Sequence, residues 1–289
     1  MRIPELYARG GPVFSFEFFL PKSPGEMERF KRTVVDLKRL RPGFVTMTYG
    51  AGGTSPERTV EVAGMIRGEL GLETAAHLTC ITHTREEVVR ILGRIRDQGI
   101  ENIVALRGDL PRPDAGLPQA LPGELPHAVD LVRLIHASHP FAVGVAGYPE
   151  KHPEAPSPEA DLEHLKAKVA SGADWIITQL FFDNGHYFDF VRKARAAGIG
   201  CPIVPGIMPV TGFSQLQKFS TMCGTQIPAG MADGLSRIAD DREAVSRYGV
   251  DFATRQCREL LDGGAPGIHF YTLNKSHATT TILSRLRDG

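Results

Sequence analysis

Short apolar runs, rich in β-branched and aromatic residues, alternate along almost the whole chain with longer stretches in which apolar positions recur at helical spacing. Strands are predicted at 13–19 (VFSFEFF), 44–49 (FVTMTY), 74–80 (TAAHLTC), 102–107 (NIVALR), 141–148 (FAVGVAGY), 174–181 (DWIITQLF), 202–207 (PIVPGI) and 267–272 (GIHFYT). Helices are predicted at 25–40, 56–70, 84–98, 124–138, 158–171, 184–197, 213–223 and 276–287. Proline near a helix start, at Pro56 and Pro158, and glycine after helix ends, at Gly99 and Gly172, agree with these limits. A strand followed by a helix, repeated in this way, predicts an α/β fold of the (β/α)8 barrel type. The segment 228–263 adds helix between strands seven and eight, and residues 1–289 are expected to form one catalytic domain.

Alternation within the strands adds a second layer of meaning, because every other side chain of a barrel strand faces the interior. In VFSFEFF, Phe14, Phe16 and Phe18 share one parity while Ser15 and Glu17 share the other. The phenylalanines are therefore expected to face the helices, and Glu17 to face the interior. Polar side chains also stand near the carboxyl ends of other strands: Thr48 and Tyr49, His77, Arg107 with Asp109, Tyr148, Gln179 and Tyr271. Barrel active sites are built at that end.

Each of these positions has a structural reading beside the functional one. Glu17 is either a carboxylate paired for stability or an acid kept protonated by apolar surroundings. Arg107 and Asp109 flank Gly108 and could form a buried ion pair, while His77 could be a satisfied core histidine. Asp161 and Lys168 share a helix face that ordinarily faces water, and Phe219 fits a core position. TYGAGGT at 48–54 has neither G-x-G-x-x-G spacing nor a P-loop lysine.

Composition narrows the classes. With 42% hydrophobic and 23% charged residues the chain can bury a large core. Thirty-three basic against thirty-three acidic residues leave no global field for nucleic acid or an anionic membrane. The first residues, MRIPELYARGG, lack a signal peptide's apolar region and no run is long enough to span a bilayer, so a cytoplasmic protein is expected. The four cysteines, 80, 201, 223 and 257, form no C-x-x-C pair and are expected to be reduced packing residues, with no metal site.

FSFEFF, TYGAGGT, HLTC, ALRGDLP, YPEKHPEA, ITQLFFD, PGIMPV and HFYTLNK, in this order over residues 12–287, closely resemble the methylenetetrahydrofolate reductase family. The resemblance implies a (β/α)8 flavoprotein that reduces 5,10-methylenetetrahydrofolate to 5-methyltetrahydrofolate. NADH or NADPH would first reduce bound FAD and leave before the folate enters. It implies that Glu17 is the general acid and that Asp109 binds the pterin and stabilises the developing cation. For FAD it implies Thr48, Tyr49, Ala51, His77, Arg107, Gly108, Asp109, Ala128, Tyr148, His152, Ala155, Asp161 and Lys168. For the two substrates it implies Glu17, Asp109, Gln179, Gln215, Phe219, Tyr271 and Lys275, and for the assembly a homodimer or homotetramer. The chain departs from common family residues at Leu20, His164, Ala167 and Lys275; Ala167 removes one phosphate or adenine contact, and Lys275 keeps charge without the fork of arginine. Two other readings are a flavin- or folate-binding subunit fed electrons by a partner protein, and a barrel lyase or hydrolase using Glu17 and Asp109 as an acid–base pair.

Overall fold

The computed structural model describes residues 1–49, 56–109 and 124–288. Its strands are β1 (Val13–Phe18), β2 (Phe44–Met47), β3 (Thr74–Thr79), β4 (Asn102–Leu106), β5 (Ala142–Gly147), β6 (Trp175–Thr178), β7 (Ile203–Val204), β8 (Gly206–Ile207) and β9 (Gly267–Tyr271). All pairings between them are parallel, in the order β7-β6-β5-β4-β3-β2-β1-β9-β8. The two ends of that order are joined covalently through Pro205, so the sheet closes into the expected (β/α)8 barrel. The strand predicted at 202–207 is thus two short pieces. Pro205 has no N–H to donate to a ladder, and the pairing changes partner there, from β6 to β9.

Helices α2 (Pro24–Lys38), α3 (Pro56–Gly68), α4 (Arg85–Asp97), α5 (Ala128–Ser138), α6 (Pro158–Ala170), α7 (Asn184–Ala196), α8 (Phe213–Cys223) and α11 (His277–Arg287) follow the prediction within a few residues. The largest difference is at α5, which starts at Ala128 rather than at 124. The added segment at 228–263 is two helices, α9 (Ala229–Ser236) and α10 (Arg242–Asp262). Local chemistry fixes several starts: Ser23, Thr84, Ser157 and Asp241 accept hydrogen bonds from the first-turn amides of α2, α4, α6 and α10. A short helix absent from the prediction, α1 (Ile3–Ala8), places Ile3, Leu6 and Tyr7 against the amino-terminal end of the barrel interior.

The strand parity holds. Phe16 and Phe18 are fully buried in the layer between sheet and helices, where Phe18 meets Phe30 of α2 edge to face at 5.5 Å. Phe14 packs against the same layer beneath the guanidinium of Arg287. The opposite parity lines the interior, and its lower part is apolar: Val13, Phe44, Ala75, Val104, Ala142, Trp175 and Ile177. Gly144 makes room for Trp175, since a Cβ there would lie 2.4 Å from the indole. Above this floor the interior turns polar, with Ser15, Glu17, Thr46, His77 and His269 all buried.

Among the described residues no helix is long and apolar enough to cross a membrane. All four cysteines are free thiols, and burial pushes Cys80 up to about 12 and Cys223 up to about 11, as suits packing residues.

Phe18→Ala empties a fully enclosed site and removes the Phe30 contact, so it is expected to lower the unfolding free energy by about 3–5 kcal/mol. Urea denaturation measures this; a loss below about 1 kcal/mol would contradict the helix-side placement.

Candidate active site

Glu17 stands one residue from the end of β1, 8% exposed, its side chain directed into the barrel. Parallel pairing sets Thr46 of β2 and Tyr271 of β9 beside it, and sets Ser15 beside His269. His77 Nε2 lies 3.5 Å and His269 Nε2 3.6 Å from the same carboxylate oxygen, Glu17 Oε2. The other nitrogen of His269, Nδ1, is 2.8 Å from Ser15 Oγ. Among the described residues neither Nε2 has a hydrogen-bond partner, and Thr46 Oγ1 also lacks one. Burial drives His77 toward its neutral form against the opposing pull of Glu17. The acid's surroundings are therefore not the purely apolar ones expected, but two imidazoles and a hydroxyl. His269 was not singled out in the sequence; its parity with Tyr271 in GIHFYT is the signal that points to it.

Tyr271 is oriented across the barrel mouth, its hydroxyl donating to Thr178 O at 2.6 Å. Gln179 continues the interior parity of β6 and turns its Oε1 to accept from Leu180 N at 2.8 Å. Gln215 and Lys275 meet at one side chain: Thr211 Oγ1 donates to Gln215 Oε1 at 3.3 Å and accepts from Lys275 Nζ at 3.4 Å. Phe219 is half-buried in a satellite apolar cluster that also holds Tyr271 and Leu216. Thr48 continues the inward parity of β2.

A second group surrounds the exits of β4 and β5. Gly108 takes φ +86°, and a Cβ there would sit 2.9 Å from Thr79, so the chain leaves β4 in a conformation that suits glycine. Arg107 forks onto Glu154, with Nη2 donating to Oε1 at 2.9 Å and Nη1 to Oε2. Asp109 is exposed, so the ion pair anticipated within ALRGDLP is formed with a residue of another loop. Tyr148 and His152 pack edge to face at 4.6 Å, and Asp161 Oδ2 accepts from His152 N at 2.9 Å. Ala155 is buried beside them, and Ala128 is half-buried at the start of α5.

Two expected positions differ. Tyr49 has the outward parity of Met47; its ring lies in the helix-side layer and its hydroxyl is 2.9 Å from His83 Nε2, so its side chain is aimed away from the interior. Lys168 does not lie on a solvated face: its ammonium is enclosed and donates to Ala146 O at 2.6 Å. Ala51 lies outside the described residues. Among the described residues no group of histidine, cysteine and acidic side chains could hold a metal ion.

The site thus combines an enclosed acid, a strand exit turned by a glycine in positive φ, and two cations. The sequence profile of the family described as Methylenetetrahydrofolate reductase matches residues 2–287. This chain belongs to that family. It is 42% identical over 273 residues to 5,10-methylenetetrahydrofolate reductase of Escherichia coli, covering 94% of this chain and 90% of that protein. It is 38% identical over 296 residues to Methylenetetrahydrofolate reductase (NADH) 1 of Arabidopsis thaliana, covering 99% of this chain but only 50% of the plant protein, so it spans about half the length of that relative. Among solved structures, an uncharacterized protein from Clostridium thermocellum that binds two copies of 5-methyl-5,6,7,8-tetrahydrofolic acid aligns over 98% of this chain and 96% of its own, with TM-score 0.66 and 15% identity. That likeness shows the shared barrel.

Burial pushes Lys168 down to about 8, with Asp161 opposing the shift. Between about pH 8 and the ordinary 10.5 the unfolded chain keeps this proton while the folded chain releases it, so the contribution of Lys168 to stability rises with pH across that window. The stability of the protein minus that of Lys168→Met is expected to rise by about 1–3 kcal/mol from pH 7.5 to pH 10.5. Denaturant unfolding at several pH values measures it; a flat difference would reject the enclosed ammonium.

Proposed function

We propose that this chain reduces 5,10-methylenetetrahydrofolate to 5-methyltetrahydrofolate with NADH or NADPH as donor and FAD as resident carrier. The observation that carries the reading is Glu17, an enclosed carboxyl group at the barrel mouth set against His77 and His269. The rest of the mouth fits a flavin dinucleotide. The Nε2 atoms of His77 and His269, without partners among the described residues, point into the interior, and Arg107 and Lys168 offer positive charge for a pyrophosphate. When bound, FAD supplies the hydride, taken beforehand from the dinucleotide in a ping-pong sequence.

The protein's own part is proton control and orientation. Glu17 gives a proton to N10 of the folate, which opens the five-membered ring and leaves a 5-iminium cation as hydride acceptor. His269, held by Ser15, keeps one imidazole nitrogen 3.6 Å from the Glu17 carboxyl group, near enough to bias its proton. Asp109, exposed at the β4 exit, is free to bond the pterin and to stabilise the cation. Gln179 serves both substrates from the end of β6, Phe219 stacks on the nicotinamide, and Gln215, Tyr271 and Lys275 complete the folate side, Lys275 as a cation for its glutamate tail.

Glu17→Gln is expected to leave bleaching of bound flavin by NAD(P)H near its normal rate and to slow folate reduction at least about 10²-fold. Stopped-flow absorbance separates the two halves. Equal loss of both would make Glu17 a structural residue, a colourless protein that ignores folate would favour the lyase or hydrolase reading, and bound flavin that NAD(P)H cannot bleach would point to a partner protein as electron source.

A further inference from the structure

Lys151, in YPEKHPEA, belongs to none of the roles above, yet its geometry is unusual on two counts. Its backbone takes φ +95°, one of four non-glycine residues with positive φ among those described, and a region that side-chain-bearing residues seldom occupy. Its ammonium donates to three carbonyls of the turn that follows: His152 O at 3.1 Å, Pro153 O at 3.4 Å and Ala155 O at 2.6 Å. Three donors on one ammonium match three acceptors gathered by one turn. The turn closes on itself through Ala155 N to His152 O at 3.0 Å, and Glu154 N donates to His152 Nδ1 at 3.1 Å. The residue these bonds leave projecting is Glu154, whose carboxylate grips both Nη atoms of Arg107.

We propose that Lys151 is a positioning residue for the cofactor wall: its ammonium folds residues 152–155 into the one shape that presents His152, Ala155 and the Glu154–Arg107 fork together. The strained backbone favours this reading, because an unfavourable φ persists only where surrounding bonds hold it, and here they are made by the residue's own side chain. A wall shaped in advance loses less freedom when a ligand arrives. The inference rests on the flavin reading of the site, and it assigns Lys151 no contact with flavin or folate.

The test compares the protein with Lys151→Met, which keeps the strain and loses the ammonium, Lys151→Gly, which loses both, and Lys151→Arg, which restores a cationic donor. In the flavin-free proteins, amide exchange at 152–155 is expected to quicken in the Met and Gly variants and to recover in the Arg variant. FAD titrated by fluorescence quenching is expected to bind at least about ten-fold more weakly to the Met and Gly variants. The visible circular dichroism of bound flavin should change with them and return in the Arg variant. Melting temperatures distinguish positioning from general damage, because relief of strain in Lys151→Gly should leave the fold no less stable than Lys151→Met. Unchanged exchange in Lys151→Met would overturn the hook, and FAD affinities within two-fold of the parent would overturn its role in binding. A parent protein that takes up no FAD overturns the flavin reading and the positioning role, and the exchange arm still decides whether the hook exists.

Discussion

The register of β1 is the constraint on which the site depends. Side chains alternate strictly along a strand, so a slip of one residue would drive Phe16 and its neighbours into the barrel and thrust Glu17 among the helices. Both consequences are severe: the phenylalanines would leave the layer in which Phe16 and Phe18 are fully buried, and a carboxylate would enter it. The apolar face of β1 thereby fixes the position of its polar face. Once β1 is set, pairing with β9 brings His269 beside Ser15 and Tyr271 beside Glu17, and pairing with β2 brings Thr46. Neighbouring strands thus place three of the acid's companions through backbone pairing, and His77 reaches it from β3, one strand further round.

The interior is divided along the barrel axis, and the division explains how a polar cluster is tolerated. Its lower half is filled by Val13, Phe44, Val104, Trp175 and Ile177 and covered by Ile3 of α1. Tight filling, carried as far as a glycine opposite the indole, gives that half the packing of an ordinary core. The upper half then holds imidazoles and a carboxyl group with incomplete hydrogen bonding, an arrangement that would weaken a barrel built that way throughout. Stability and chemistry occupy opposite ends of the same strands.

Much of this was legible in the sequence because it is written in local periodicity. Strand parity set Glu17 against the phenylalanines, and the same rule puts Tyr49 on the outer side with Met47, although its place in TYGAGGT drew it toward the site. The six residues of α1 are too few to show a helical period, and only the barrel's open lower end gives them something to cover. The break at Pro205 was visible as a proline within a strand, but the change of partner across it is a property of closure. Glu154 lies 47 residues from Arg107, and no local pattern announces such a pair. His269 needed the register between β1 and β9 before its meaning could be seen, since alone it is one polar residue among aromatics.

A chain with no net charge must meet an anion with local cations, and the two offered here are held in different ways. Arg107 is drawn further toward its charged form by Glu154, so an incoming anion there has to share or displace a carboxylate. Lys168 has a backbone carbonyl as its hydrogen-bond partner, and burial has loosened its proton. An anion arriving beside it would add to the counter-charge of Asp161 and strengthen its hold on that proton. If the proposed anion binds there, at Arg107 it would exchange with a carboxylate, and at Lys168, above about pH 8, its binding would be coupled to proton uptake. The loop from Tyr148 to Ala155 and the helix that carries Lys168 lie one after the other in the chain, so a single ligand spanning both would draw on a rigid, already paired cation and a labile, enclosed one. On the proposed reading, the first would favour a fixed orientation, and the second would make the strength of binding depend on pH.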